Sequence, residues 1–469
     1  MKLILTTSPR AEGDIERKGL PFLGIGYIAS YVEKNTNHEV EIFDAHTYGF
    51  TAVKAAEEIL KKNPDIVGVH SITDNRFKAI DLAREIKKGN KDVVVLFGGP
   101  HFSLTAKEAL EIIPEIDYII LGEGEKPIVE LLNALDNGNL ENVPSLAYRK
   151  NNEIVINKSA DLIEDLDSLP MPAWHLFDLK AYNKPIDGTD VKAIGVLSGR
   201  GCPNVCIYCA NANKRLRLRS PKNFIDEVEF LYNKYGYKGF DFWDDTITMV
   251  RSHLVEICNE VIKRKLDIIW YARARVNTVD KELLEIMHKA GCIRISFGIE
   301  SGSPRILKVI KKNITIEQAK NAVQMASDVG MHVVSNFMVN LPEESEEDLK
   351  MTADLIKELK KIKNSYPSYG FSIPYPGTEM ELIARQKGII PKDFSWNKPY
   401  KSEKYKIAGI DSSLPLMEWK GAEIEKVKAF MARELGGNII KKVFKKLKKV
   451  KSFKELKNIA KTGIKYLKK

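Results

Sequence analysis

Three of the five cysteines in this 469-residue chain fall within eight positions, at Cys202, Cys206 and Cys209, in the stretch RGCPNVCIYCAN. Thiolates are soft ligands, and three of them at CxxxCxxC spacing can reach one inorganic centre. On a four-iron cluster they leave one iron without a protein ligand, open to a co-substrate. Zinc is served less well, because a structural zinc site wants four ligands and no histidine lies nearby at finger spacing. Cys258 and Cys292 stand apart and read as buried apolar residues. An odd cysteine count with three clustered argues against a disulfide framework and for a metal site in a reducing compartment.

The rest of the composition narrows the setting. Hydrophobic residues at 44% and charged residues at 29% fit a globular protein, and the length suggests two to four domains. No apolar run approaches the roughly 18 residues that a membrane span needs. The N-terminus, MKLILTTSPR, lacks the features of an export signal and reads as a first strand, so a cytoplasmic location is expected. The net charge of +10 is local: Lys441–Lys469 holds 13 lysines and one acid, Glu455, which leaves the remainder at net −2. A phosphate-backbone channel is not indicated, and no nucleic-acid partner is expected.

Strand-like runs alternate with amphipathic stretches, the pattern of α/β units built on parallel sheets. KLILTT, EVEIFDA, DIVGVHS, VVVLFGG and YIILGEG, separated by helical stretches such as LGIGYIASYVEK, predict a doubly wound, Rossmann-like domain over residues 1–145. The acidic, Pro-containing IEDLDSLPMPAWHLFD breaks the rhythm and marks a connector over 146–187. VKAIGVLSG, GFDFWDD, DIIWYARARV, CIRISFGIE, HVVSNFMVNLP and SYGFSIPYP then open six βα units, predicting a partial (β/α)6 barrel of the TIM type over 188–395. Chemistry in such a barrel belongs at the C-terminal strand ends, and the cysteine loop follows the first of these strands. Residues 396–469 form a C-terminal helical extension. In its tail Ile440, Val443, Leu447 and Val450 recur at helical spacing among lysines, and Ser452 with Glu455 makes a capping-box pattern for a second helix. Such a basic amphipathic tail either lies peripherally on an anionic membrane or packs on the barrel with its lysines solvated.

The cysteine loop, set after the first strand of a six-unit barrel, resembles that of the radical S-adenosylmethionine (SAM) enzymes. FWDDT (Phe242–Thr246), ARARV (Ala272–Val276), GIESGS (Gly298–Ser303) and NLPEES (Asn340–Ser345) match, in order, segments of the subgroup with an N-terminal cobalamin domain. The resemblance implies a [4Fe-4S] cluster on Cys202, Cys206 and Cys209, whose open iron chelates SAM, with Tyr208 packing near the adenine. It also implies cofactor contacts from Asp244 and Glu300, and catalytic roles for Glu300, Arg275 and Asp245. The alternative for these acids and the arginine is ion pairing on the barrel rim. In the family, one electron from the reduced cluster cleaves SAM, and the 5′-deoxyadenosyl radical takes hydrogen from an unactivated carbon. An electron donor such as ferredoxin or flavodoxin is implied with it.

The first domain carries segments similar to the family's cobalamin-binding domain. They are PFLGIGYIASYV (Pro21–Val32), PDIVGVHSITDN with Ser71 and Thr73 at its exit, VVVLFGGPH with Gly98 and Gly99, and LGEGE with Glu123. The two glycines would let a nucleotide tail lie against the backbone. The resemblance implies bound cobalamin in contact with these five residues. DAHTYG (Asp44–Gly49) fits the Asp-x-His-x-x-Gly pattern that places histidine on cobalt in some cobalamin proteins, yet here it follows the second strand instead of the first. His46 is accordingly read as a surface-loop histidine, and cobalamin as lacking histidine ligation. Methylthiotransferases, which resemble this arrangement, need three further cysteines, and residues 1–201 hold none. The implied function is methylation of an unactivated carbon on a small molecule or lipid, with one SAM methylating cob(I)alamin and a second generating the radical. Two alternatives stand beside it: non-methylating cyclisation, rearrangement or carbon–carbon coupling, with a lipid among the candidate substrates, and a cobalamin-responsive binding protein without catalysis.

Overall fold

A computed structural model describes residues 1–10, 19–210, 213–400, 407–408, 414–415, 418–419 and 423–436. The amphipathic tail lies outside the described residues.

The first sheet is buried on both faces along its central strands, which are mostly apolar for that reason. In β1 (Lys2–Thr7), Leu3 and Leu5 join one apolar cluster while Ile4 joins the other. It pairs in parallel with β2 (Glu39–Phe43) and β3 (Ile66–His70), and β4 (Val94–Gly98) and β5 (Tyr118–Ile120) follow in the order β2-β1-β3-β4-β5. Helices α1 (Leu23–Asn35) and α5 (Glu125–Asn137) cover the Leu3 face; α2 (Ala52–Leu60), α3 (Arg76–Gly89) and α4 (Pro100–Ile112) cover the Ile4 face. The strand order reverses between β1 and β3, which opens a crevice at their C-terminal ends.

Residues 146–156, assigned from sequence to the connector, continue this sheet. β6 (Leu146–Lys150) and β7 (Glu153–Ile156) add to β5 in antiparallel fashion. Asn151 and Asn152, both left-handed at φ 51° and 66°, form the two-residue turn that closes this hairpin. The connector beyond is packed between the two sheets. Buried Trp174 donates from Nε1 to Glu227 Oε1 at 3.1 Å, and buried Tyr182 donates to Asp44 Oδ2 at 2.6 Å.

The second sheet is wholly parallel and open. Its strands are β8 (Ala193–Val196), β11 (Gly239–Phe242), β12 (Ile269–Ala274), β13 (Cys292–Glu300), β14 (His332–Val339) and β15 (Ser365–Phe371) in that order, with β8 and β15 as free edges. A two-stranded hairpin of β9 (Gly199–Arg200) and β10 (Arg217–Leu218) brackets the cysteine loop. The outer helices are α6 (Pro221–Tyr235), α7 (Arg251–Lys263), α8 (Lys281–Lys289), α9 (Pro304–Val309), α10 (Ile316–Asp328), α11 (Glu346–Leu359) and α12 (Glu379–Gln386). Most begin on an oxygen cap: Ser220, Asp280, Ser303, Thr315, Ser345 and Thr378 each accept from a backbone N–H in the first turn. The last described helix, α13 (Ile424–Leu435), is tied to α11 by Lys357 and Glu434 at 2.7 Å. Cys258 and Cys292 are fully buried, and burial pushes both thiols up, that of Cys258 to about 12. Among the described residues no helix is long and apolar enough to cross a membrane.

Candidate active site

The cysteine loop is fixed through its backbone. The Cys202 N–H donates to Asn213 O at 3.1 Å, Ile207 N–H to Ile310 O at 3.3 Å, Cys209 N–H to Cys206 O at 3.2 Å, and Met380 N–H to Ile207 O at 2.9 Å. Ile207 is buried and anchors the loop from below. Gly201 turns the chain into it at φ 92°, where an added Cβ would lie 2.2 Å from Arg215 O. All three cysteines are half-buried, and none forms a disulfide. Among the described residues no three potential ligands converge on a single metal ion. Three thiols on one short loop, with no fourth protein ligand beside them among the described residues, fit a multi-iron cluster better than a structural zinc, which wants four.

Four of the sequence-nominated side chains gather around this loop. Arg275, just after β12, lies with Nη1 3.8 Å from Cys206 Sγ and is held by a hydrogen bond from Nη2 to Lys312 O. Glu300 ends β13 at a bulge, with a left-handed backbone at φ 72°, and is paired at 3.1 Å with Lys312 Nζ. Lys312 also donates to Tyr208 Oη at 3.3 Å. Burial, together with the neighbouring Glu300 and Cys206, drives the Tyr208 phenol upward, so it stays a neutral hydroxyl. Gly298 makes the pair possible, since a Cβ there would stand 2.4 Å from Glu300 Oε1. Lys312 itself was missed from sequence; a lysine in a loop carries no periodic signal. The two aspartates after β11 diverge. Asp244 is buried and accepts from Ser198 N–H at 3.1 Å and Ser198 Oγ at 2.6 Å, so it braces the start of the cysteine loop. Burial raises its carboxyl above the usual range. Asp245 is exposed.

In the first domain the crevice predicted by the strand order is a half-open cleft lined by Leu5, Ile25, Ile28, Ile120 and Ile128 with glycines 68, 98, 99, 122 and 124. Gly98 opens onto empty space, whereas a Cβ on Gly99, at φ 91°, would lie 2.4 Å from Ser71 O. An apolar slot roofed by bare glycine backbone fits a flat nucleotide tail. Ser71 Oγ is bonded to Asn75 Oδ1 at 2.9 Å and Thr73 Oγ1 to His101 Nδ1 at 3.1 Å; both residues are buried, and neither is among the described residues lining the cleft. Both carboxylate oxygens of Glu123, expected from the sequence as a cofactor contact, accept from Arg217 of β10. The DAHTYG stretch has a structural purpose at Asp44, which accepts from Thr7, Thr47 and Tyr182. His46 is half-buried, 6.4 Å from the Phe22 ring.

The first domain and the cysteine loop meet through ion pairs. Arg200, two residues before Cys202, pairs with Glu125 at 2.6 Å, beside the pair of Arg217 with Glu123. The loop after β5 of the first sheet thereby abuts the hairpin carrying the cysteines.

This geometry defines a radical SAM enzyme with a corrinoid-binding domain docked on its cluster loop. The radical SAM superfamily is matched over residues 196–356 and the B12 binding domain over 19–132. A protein of Pyrococcus horikoshii described as an uncharacterized methyltransferase is 33% identical over 95% of both chains. The anaerobic magnesium-protoporphyrin IX monomethyl ester cyclase of Rubrivivax gelatinosus is 30% identical over 76% of this chain and 65% of its own length. Among solved structures, the radical SAM methyltransferase TsrM of Kitasatospora setae, with cobalamin and a [4Fe-4S] cluster bound, superposes with a TM-score of 0.69 at 19% identity, covering 83% of this chain and 75% of that one. The chain belongs to the cobalamin-dependent radical SAM enzymes, a family whose cofactors are a [4Fe-4S] cluster, SAM and cobalamin.

Proposed function

We propose that this enzyme methylates an unactivated carbon of a small molecule. The observation that carries the reading is the Arg200–Glu125 joint, which sets the corrinoid cleft against the cluster loop so that a substrate between them faces both cofactors. The match to a methyltransferase over 95% of both chains supports it. When bound, the cofactors supply an electron, a carbon-centred radical and a methyl group. The residues of the chain position them. Cys202, Cys206 and Cys209 hold the cluster, and Arg275 sets a fixed cation beside it. Glu300 and Lys312 offer a carboxylate and an ammonium of the kind that orient the amino acid end of SAM, with the Tyr208 ring beside them. Asp245, the exposed member of the aspartate pair after β11, is assigned to contact with substrate. Gly98 and Gly99 cradle the corrinoid tail. The burial of Arg275, Glu300 and Lys312 excludes water around them, which protects a radical from quenching.

A second reading, radical cyclisation without methyl transfer, is favoured by the 30% identity to the cyclase. The experiment is anaerobic reconstitution with cobalamin, SAM and reductant, followed by mass spectrometry of products from candidate metabolites. Methylation adds one methyl group and consumes two SAM per turnover; cyclisation adds none. An enzyme reduced by a small ferredoxin or flavodoxin fits both readings. The lysine-rich tail is proposed as a peripheral membrane contact, and deleting residues 438–469 tests it: salt-sensitive sedimentation with anionic liposomes disappears while iron content is unchanged.

A further inference from the structure

We propose that His70 is the residue that recognises the lower-ligand base of the corrinoid, donating a hydrogen bond to it inside the apolar cleft. The inference rests on the cobalamin reading above and assigns a specificity-determining residue to it.

His70 ends β3, at the centre of the first sheet, and its side chain lines the cleft. Among the described lining residues it is the only ionisable group, the others being aliphatic side chains, Phe97 and glycines. A Cβ on Gly99 would stand 3.0 Å from His70 Nδ1 and 3.1 Å from Cε1, so the imidazole lies directly against the bare glycine backbone. The Phe22 ring, with its centroid 5.2 Å away, packs against it. No hydrogen bond to the imidazole is made by any described residue. The charged group acting on it is Asp44, whose carboxylate is already engaged by Thr7, Thr47 and Tyr182. Burial holds the ring neutral, pushing its pKa down to about 4. A neutral imidazole has one N–H to give and one bare nitrogen.

The cofactor supplies the complement. A cobalamin whose cobalt has released its lower ligand presents a dimethylbenzimidazole, a flat apolar bicycle with one exposed ring nitrogen that accepts a hydrogen bond. Such a group gains from the aliphatic walls but leaves its nitrogen unsatisfied unless the cleft provides one donor. His70 is that donor. His46, on the loop after β2, is not among the lining residues.

The test compares binding of hydroxocobalamin with that of dicyanocobinamide, which lacks the nucleotide base, to the full chain carrying its cluster. The wild type is expected to hold hydroxocobalamin more tightly. His70→Ala should weaken hydroxocobalamin about tenfold, the value of one lost hydrogen bond, and leave cobinamide unchanged. His70→Asn, which restores an N–H donor, should recover most of the loss. Equal weakening of both corrinoids, no weakening of either, or equal binding of both by the wild type overturns the proposal; the last result is independent of how any variant folds. Nitrogen splitting in the Co(II) paramagnetic resonance spectrum that vanishes in His70→Ala would also overturn it, by making His70 a cobalt ligand. If the iron-loaded wild type binds neither corrinoid, the cobalamin reading itself falls.

Discussion

The guanidinium of Arg275 stands 3.8 Å from the sulfur of Cys206, although 69 positions separate them in the chain. β12 delivers the arginine to the mouth of the sheet, and its bond to Lys312 O holds it there. A fixed cation beside an anionic centre acts most strongly where water is excluded. Arg275→Met is expected to retain iron, because the cysteines are untouched, while deoxyadenosine formation from SAM falls by about tenfold or more. Iron per chain and deoxyadenosine yield, measured on one preparation, separate the two effects.

Alanine at Cys202, Cys206 or Cys209 should remove the cluster and all SAM cleavage while leaving the melting temperature of the apoprotein nearly unchanged. The loop is held by backbone bonds at Cys202, Ile207 and Cys209, which an alanine keeps. Cys258→Ala and Cys292→Ala should show the reverse, full iron and a stability lower by about 1 kcal/mol, since each deletes a buried sulfur from the core.

The two cleft glycines should fail in different ways. Gly98 faces open space, so Gly98→Leu should fold normally and lose cobalamin by filling the slot. Gly99 is left-handed and its Cβ would strike Ser71 O, an immovable backbone atom. Gly99→Ala should therefore unfold at lower denaturant, by about 1–3 kcal/mol, before any ligand is added. Corrinoid titration and urea unfolding of both variants distinguish a binding defect from a folding one.

What could be read ahead of the structure was local. The cysteine spacing, the two sets of strands and the glycine pair are short patterns, and the sheets they imply are present. Partnerships across the chain left no such trace. Glu123 reads as a ligand contact within LGEGE, but its partner Arg217 lies 94 positions away. Lys312 and His70 are single residues whose importance comes from what the fold sets beside them. β6 and β7 were lost in the connector because two antiparallel strands end a parallel rhythm. The start of β15 was hidden by Pro367, which an edge strand tolerates since that residue owes no hydrogen bond on its free side.

The pairing of Arg217 with Glu123 makes a prediction about acid stability. Arg217 is almost wholly buried, also donates to Ile163 O at 2.7 Å, and ties the hairpin around the cysteine loop to the first domain. Burial alone would raise the Glu123 carboxyl, but the hydrogen bond from Arg217 and the charges of Arg200 and Arg217 outweigh it, and the net effect is downward. A carboxyl lowered by folding adds stability that is present above its unfolded value of about 4.3 and is lost as the pH falls through that value toward the folded one. Arg217→Ala leaves Glu123 near Arg200 but without its hydrogen-bonding partner. At neutral pH it should cost about 2 kcal/mol, less than for a fully enclosed pair because Glu123 retains some exposure to water. The acid limb of the stability curve should also move to higher pH, because burial then raises the carboxyl with less to oppose it. Thermal melts from pH 3 to 8 read both effects, and Glu123→Gln in the Arg217→Ala background should restore the acid limb by removing the titrating group. A variant with unchanged melting at neutral pH and an unmoved acid limb would show that the ion pair is not what joins the corrinoid domain to the cluster loop.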